Sequence, residues 1–288
     1  MASHALAITH IDAARFQDAL LAGIANVLKR RDYINKINVF PVPDGDTGTN
    51  LAFTLASVRT AIEQRRRKTI SELLDQVAEA ALDGARGNSG AIMAQYFQGL
   101  SEAARNSKVL DAAGLAQASE SAAKSAWGAM SNPVPGTLPT VLEDFAEELV
   151  RLSRAGVDDI RALIQRGLQR ARQSLAATHA KLALLREAGV VYAGAQGFVD
   201  FLEGIWHYVR SGRVPAASAE VETISAGDAM HLHGVAPEMH RFCTECLITS
   251  DELDVVALRE ELEALDASSL VVAGGARRDR VHIHTDAP

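Results

Sequence analysis

Only two cysteines occur in the 288 residues, Cys243 and Cys246, so no disulfide framework can hold the fold, and a reducing, cytoplasmic setting is expected. Aromatic residues make up only 5% of the chain, while alanine is abundant. Strands prefer aromatic and β-branched side chains, so this mix favours close-packed helices over a β-sandwich. No stretch approaches the ~20 apolar residues of a membrane span. A basic region followed by an apolar core is missing near Met1, so neither a membrane span nor a secretory signal is expected. Positive charge is in deficit, with a formal net charge of −7. Such a chain repels nucleic acid unless a local basic patch compensates. The run Arg65, Arg66, Arg67, Lys68 reads instead as the solvated end of a helix, where cations suit the negative dipole end.

The length exceeds the ~100–200 residues of a typical domain, which predicts one large unit plus a smaller one. From about residue 11 to 209 the apolar residues recur at helical spacing. Phe16, Leu20, Ile24 and Val27 form one stripe, and Ile70, Leu73, Val77 and Ala81 a second. Ile160, Leu163, Ile164, Leu168 and Leu175 form a third. Gly- and Pro-bearing breaks at 41–48, 84–88, 132–139, 154–157 and 189–195 leave about eight helices. Thr69 or Ser71 is placed to cap the third, and Asp158 or Asp159 the seventh. The fifth, rich in Ala, Ser and Gly, is expected in the middle of the bundle. Residues 211–227 read as a linker. Strand-like segments follow at 241–249, 269–273 and 280–285, with a helix at 254–265 between the first two. The predicted architecture is mainly α, a helical unit over 8–210 followed by a small α/β unit over 228–288. Ending on a bare edge strand suits a piece of a longer protein.

Two segments carry phosphate-type chemistry. In Asn38-Val-Phe-Pro-Val-Pro-Asp-Gly-Asp-Thr-Gly-Thr-Asn50, two prolines stiffen the approach to a turn where Asp44 and Asp46 flank Gly45. Magnesium takes hard oxygen ligands, usually one or two carboxylates plus phosphate oxygens, and a carboxylate pair at a helix entrance meets that need. Read alone, the turn is equally a helix N-cap. Gly84-Ala-Arg-Gly-Asn-Ser-Gly90 lies between two helices. Its glycines permit close backbone approach to an anion, and the amides of the following helix point at it. No Gly-Lys-Ser/Thr follows, so it is not a Walker loop.

A second cluster lies late in the chain. Strand side chains alternate faces, so His282 and His284 share one face, Cys243 and Glu245 point together, and Cys246 points away. A thiolate with two imidazoles is a zinc-like ligand set. A half-exposed strand face with a buried cysteine fits the same spacing. His207, His231, His233 and His240 read as surface or linker residues.

Together these motifs resemble the ATP-binding subunit of bacterial fatty acid kinase, within the wider family of the dihydroxyacetone kinase L subunit. Val134-Pro-Gly-Thr137, Gly189-Val-Val-Tyr-Ala-Gly-Ala-Gln-Gly197 and the Cys-Thr-Glu and His-Ile-His segments agree with it. The resemblance implies a barrel of about eight antiparallel helices that binds ATP or ADP through loops at one end. Asp44 and Asp46 would hold Mg2+, with Asn38 adding an oxygen. Thr47, Gly48, Asn50, Asn88, Ser89 and Gly90 would line the phosphates, and Gly136 and Thr137 would lie towards the adenine. Relatives often carry Asp where this chain has Tyr192, which leaves the role of that loop open. Cys243, His282 and His284 would form a metal site of the zinc type, with His282 also a candidate to assist transfer. The implied reaction is transfer of the terminal phosphate to a fatty acid carboxylate, giving an acyl phosphate. The acyl chain would come on a fatty-acid-binding protein or a further domain, and a homodimer is compatible with the sequence. A kinase for dihydroxyacetone or a similar polyol, and a non-catalytic nucleotide sensor or scaffold, are the alternatives.

Overall fold

The computed structural model describes residues 7–41, 43–215, 240–250, 253–265, 267–275 and 278–288. Most of the expected linker, from 216 onward, lies outside the described residues, as do His231 and His233.

Helical periodicity becomes a ring. The long helices are α1 (Ala13–Lys36), α2 (Thr47–Gln64), α3 (Ile70–Gly84), α4 (Gly87–Ala103), α5 (Ala112–Gly128), α6 (Leu138–Arg154) and α7 (Ile160–Lys181). After the short α8 (Ala183–Ala188) comes α9 (Ala193–Ser211). Each long helix packs on the next, and α9 packs on α1 and α7, which closes the ring. Apolar stripes face inward, where Leu51, Leu73, Phe97, Leu138 and Phe198 are almost wholly buried. Each such side chain contributes about 1.5–3 kcal/mol by leaving water. Phe198 is the hub of an aromatic cluster, its ring 5.6 Å from both Tyr96 and Phe145. The Ala-rich α5 is a member of the ring, between α4 and α6, rather than its centre. Its small residues serve the close approach of α4: a Cβ on Gly99 would stand 2.7 Å from the Ala122 Cα.

Helix direction alternates around the ring. At one end, β1 (His10–Asp12) pairs antiparallel with β2 (Val109–Asp111), Ile160 N–H bonds Ile8 O, and Ile70 N–H bonds Lys108 O. The starts of α1, α3, α5 and α7 therefore lie together. These four starts are capped by their own side chains: Asp12, Thr69, Asp111 and Asp159 each accept a backbone N–H. The starts of α2, α4, α6 and α9 lie at the opposite end, and none has a side-chain cap from its own N-cap residue.

The late unit is a sheet of order β3-β5-β4, built from β3 (Phe242–Thr249), β4 (Ala267–Gly274) and β5 (Arg278–Thr285), all antiparallel. One face, with Leu270, Val272, Val281 and Ile283, packs under α10 (Val255–Glu263). The other sends Val271 and Ala273 into the helical core. The edge of β4 is met by backbone at the end of α5: Val272 N–H bonds Ala129 O at 2.9 Å and Ser131 N–H bonds Leu270 O at 3.3 Å. Alternation then directs Cys243, Glu245, Arg280, His282 and His284 towards the uncapped end of the ring. No helix among the described residues is long and apolar enough to cross a membrane.

Candidate functional site

Four helix starts with amides not capped by their own side chains converge at one end of the ring. Each leaves backbone N–H groups unpaired within its helix and brings a partial positive charge. Into this end project the acidic turn, the glycine loop and the late cluster.

Gly45 turns the chain with a left-handed φ of +68°, which places Asp44 and Asp46 on either side of it. Asn38, buried at the end of α1, donates to Asp44 Oδ1, and its own Oδ1 accepts from Thr47 Oγ1 at 2.8 Å. Gly48 packs against α1, where a Cβ would stand 2.2 Å from Arg31 O. Loss of hydration, then the charge of Asp44 and a hydrogen bond to it, push the Asp46 carboxyl up to about 7; hydrogen bonding to Asn50 and the charge of His282 oppose this. Two carboxylates in such contact repel each other when both are ionised, and a shared cation relieves that repulsion.

The glycine loop lies against this turn. Gly87 has φ +58°, and a Cβ there would stand 2.4 Å from the Asn50 amide. The Asn88 Oδ1 is buried without a hydrogen-bond partner among the described residues. Ser89 hydrogen-bonds to Tyr192, and Gly90 N–H is engaged with Arg86 O. Tyr192 is itself buried: its ring meets Phe40 edge-on at 6.3 Å, and burial, eased by Ser89, pushes its hydroxyl up to about 12. It packs as part of the floor of the loop. Thr137 Oγ1 donates to Val134 O at 2.6 Å, and Gly136, at φ +90°, lies against Lys181. This turn sits at the start of α6, on the same end of the ring.

The late cluster faces the acidic turn. One ligand atom each of Cys243, His282 and His284 lies within 4.8 Å of the others. Around a tetrahedral zinc with bonds of about 2.0–2.3 Å the atoms would stand about 3.5 Å apart, so a contraction of roughly 1 Å closes the set. His282 is 1% exposed, and its Nε2 has no hydrogen-bond partner among the described residues. Partial burial of the sulfur, with the nearby charges of Glu245, Asp46 and Asp44, pushes the Cys243 thiol up to about 12. Burial, then the charges of His282 and His240, bring His284 down to about 4. Cys246 pairs across from Val281 on the opposite face. His240, read from the sequence as a surface or linker residue, lies beside this cluster, 3.4 Å from Asp286. Its distance in sequence from the His-x-His pair conceals this.

Glu245 joins the two regions. Its Oε1 accepts the Gly87 N–H at 2.7 Å and lies 3.2 Å from His282 Nδ1; Oε2 accepts from Arg86 at 3.1 Å and Arg280 at 3.0 Å. Burial alone would raise its pKa, but these four hydrogen bonds outweigh it and hold the carboxyl well below its ordinary value. Arg86 and Arg280 carry no signal in the sequence beyond their charge. The only hint is α4, whose N-cap position holds an arginine, a residue that cannot accept a hydrogen bond from an amide.

An eight-helix ring with an acidic turn and uncapped helix starts at one end, roofed by a small sheet, defines the class of protein. Comparison with known families places it further. The DAK2 domain matches residues 41–207, and the middle domain of fatty acid kinase A-like proteins matches residues 239–288. The chain belongs to the DAK2-domain family. Similar proteins occur in Staphylococcus aureus strains USA300 and bovine RF122 / ET3-1, described there as uncharacterized. They are 30% and 31% identical over 98% of this chain. The chain spans about half, 52%, of the length of these relatives.

Proposed function

We propose that the chain binds ATP with magnesium at the uncapped end of the ring and transfers its terminal phosphate to a fatty acid carboxylate. The product would be an acyl phosphate, and the acyl chain would come on a fatty-acid-binding partner or a further domain. The observation that carries this reading is the convergence of the Asp44–Asp46 pair with the starts of α2 and α4, whose own N-cap residues supply no side-chain cap, and with the unpartnered Asn88 Oδ1. A carboxylate pair alone repels a polyphosphate; helix amides alone attract one. Both together suit a polyphosphate that arrives with a divalent cation.

The residues fit that group. Asp44 and Asp46 are the ligands for magnesium, with Asn38 holding Asp44 in place and Asn50 holding Asp46. Bound magnesium offsets the charge that develops on phosphate oxygens during transfer. Thr47, Gly48 and Asn50 at the start of α2, and Asn88, Ser89 and Gly90 at the start of α4, line the phosphates. Gly136 and Thr137 form the turn on the adenine side. Cys243, His282 and His284 would hold a zinc-type ion, close enough to the acidic turn for the charge of His282 to act on Asp46. The match of residues 239–288 favours a fatty acid over a small polyol as acceptor.

The test is to incubate the full chain with ATP, magnesium and a fatty-acid-loaded binding protein, and to trap acyl phosphate with hydroxylamine. Hydroxamate that depends on all components is expected. Phosphorylation of dihydroxyacetone without any hydroxamate would overturn the acceptor assignment, and ATP binding without turnover on either would leave a sensor.

A further inference from the structure

Glu245 takes no part in holding metal or nucleotide in the reaction proposed above. Yet its carboxylate makes contacts to four groups from both units, and α4 starts without a side-chain cap of its own. We propose that Glu245 is a positioning residue of the phosphate site: it caps α4 from across the chain and fixes the glycine loop against the acidic turn.

The physical path is short. Gly87 is the first residue of α4, and its N–H has no partner within the helix. Asp, Asn, Ser or Thr just before a helix would normally accept one of its free amides, that of the second or third residue. Arg86 stands there instead, and the acceptor comes from 158 residues away. The same carboxylate holds Arg86, so the loop is gripped on both sides of the Arg86–Gly87 peptide. Gly87 in turn lies against Asn50, whose side chain hydrogen-bonds Asp46. The chain Glu245, Gly87, Asn50, Asp46 therefore transmits the position of β3 to the magnesium carboxylates.

The sheet also holds the end of α3. Arg280 donates to Asp83 O at 3.4 Å, and Arg278 pairs with the Asp83 carboxylate at 2.7 Å. These contacts dock the sheet without touching the α4 amides. Arg278 is 40% exposed, and its pair is a surface one. Removing Arg278 thus tests docking, whereas changing Glu245 tests the cap.

This inference rests on the proposed ATP site, and the experiment separates the two. Wild type, Glu245→Ala, Glu245→Gln and Arg278→Ala are compared as full chains. The readouts are amide hydrogen exchange at Gly87, magnesium-ATP affinity by calorimetry, and thermal unfolding of the helical signal. Glu245→Ala should speed exchange at Gly87 and weaken nucleotide binding about tenfold, equivalent to ~1.4 kcal/mol. Glu245→Gln keeps a neutral acceptor and should restore part of that affinity. Arg278→Ala should leave both near wild type. Unchanged exchange and affinity in Glu245→Ala would overturn the proposal, as would an equal loss in Arg278→Ala. Wild-type protein that fails to bind magnesium-ATP would instead remove the functional reading, while the exchange at Gly87 still reports on the cap.

Discussion

Replacing Gly87 by alanine should disable the phosphate end while leaving the ring folded. Gly87 has φ +58°, a left-handed conformation that costs an L-residue roughly 1–2 kcal/mol. The new Cβ would stand 2.4 Å from Asn50 Nδ2, whereas ordinary contact begins near 3.4 Å, so the Asn50 amide must withdraw by about 1 Å. That movement breaks its hydrogen bond to Asp46, a loss of ~1 kcal/mol. The total is about 2–3 kcal/mol, the greater part of it local. Urea unfolding should therefore show a loss of at most ~3 kcal/mol, with magnesium-ATP affinity down by about tenfold or more. Gly128→Ala is the control: its φ is ordinary and a Cβ there would meet nothing within 4 Å, so it should be neutral or stabilising by up to ~1 kcal/mol. A Gly87→Ala protein that equals wild type in both stability and nucleotide affinity would show that the loop does not depend on this glycine.

Phe198→Ala should cost ~3–5 kcal/mol, because it empties the hub between Tyr96 and Phe145; calorimetric unfolding checks this, and a loss below ~1 kcal/mol would contradict the packing. Tyr192→Phe keeps the edge contact with Phe40 and loses only the bond to Ser89, so a change of about 0.5–1.5 kcal/mol in stability is expected. If Tyr192 were instead a nucleotide contact, the variant would lose affinity with no change in stability. Cys243→Ser and His282→Ala should each lower the zinc content of the purified full chain by elemental analysis; equal zinc in variants and wild type would exclude these ligands.

Much of this arrangement is legible in local sequence. The Asp44-Gly45-Asp46 turn, the caps at Thr69 and Asp159 and the inward stripes all depend on residues a few positions apart. Parity along β3 and β5 likewise predicts that Cys243 and Glu245 face His282 and His284, because pairing preserves alternation. Two features are not legible. The first is that the late cluster faces the acidic turn. This depends on β4 meeting the backbone at Ala129–Ser131, a contact between peptide groups that no side-chain pattern encodes. The second is the division of caps between the two ends. Each missing cap is ordinary alone, and only the ring brings all four together. The function of Glu245 is hidden for the same reason, since its partners Arg86 and Gly87 lie in the other unit. The sequence leaves the role of Tyr192 open, and only its burial shows that it packs.

Whether the Asp44–Asp46 end of the ring takes ATP together with magnesium can be read from a calorimetric titration. The full chain is titrated with ATP, with and without magnesium, and the titration is repeated on Asp44→Ala and Asp46→Ala. Wild-type binding should require magnesium and should be weakened in both variants, with the helical signal unchanged. ATP affinity indifferent to magnesium and to both substitutions would rule out a metal-nucleotide site at this turn.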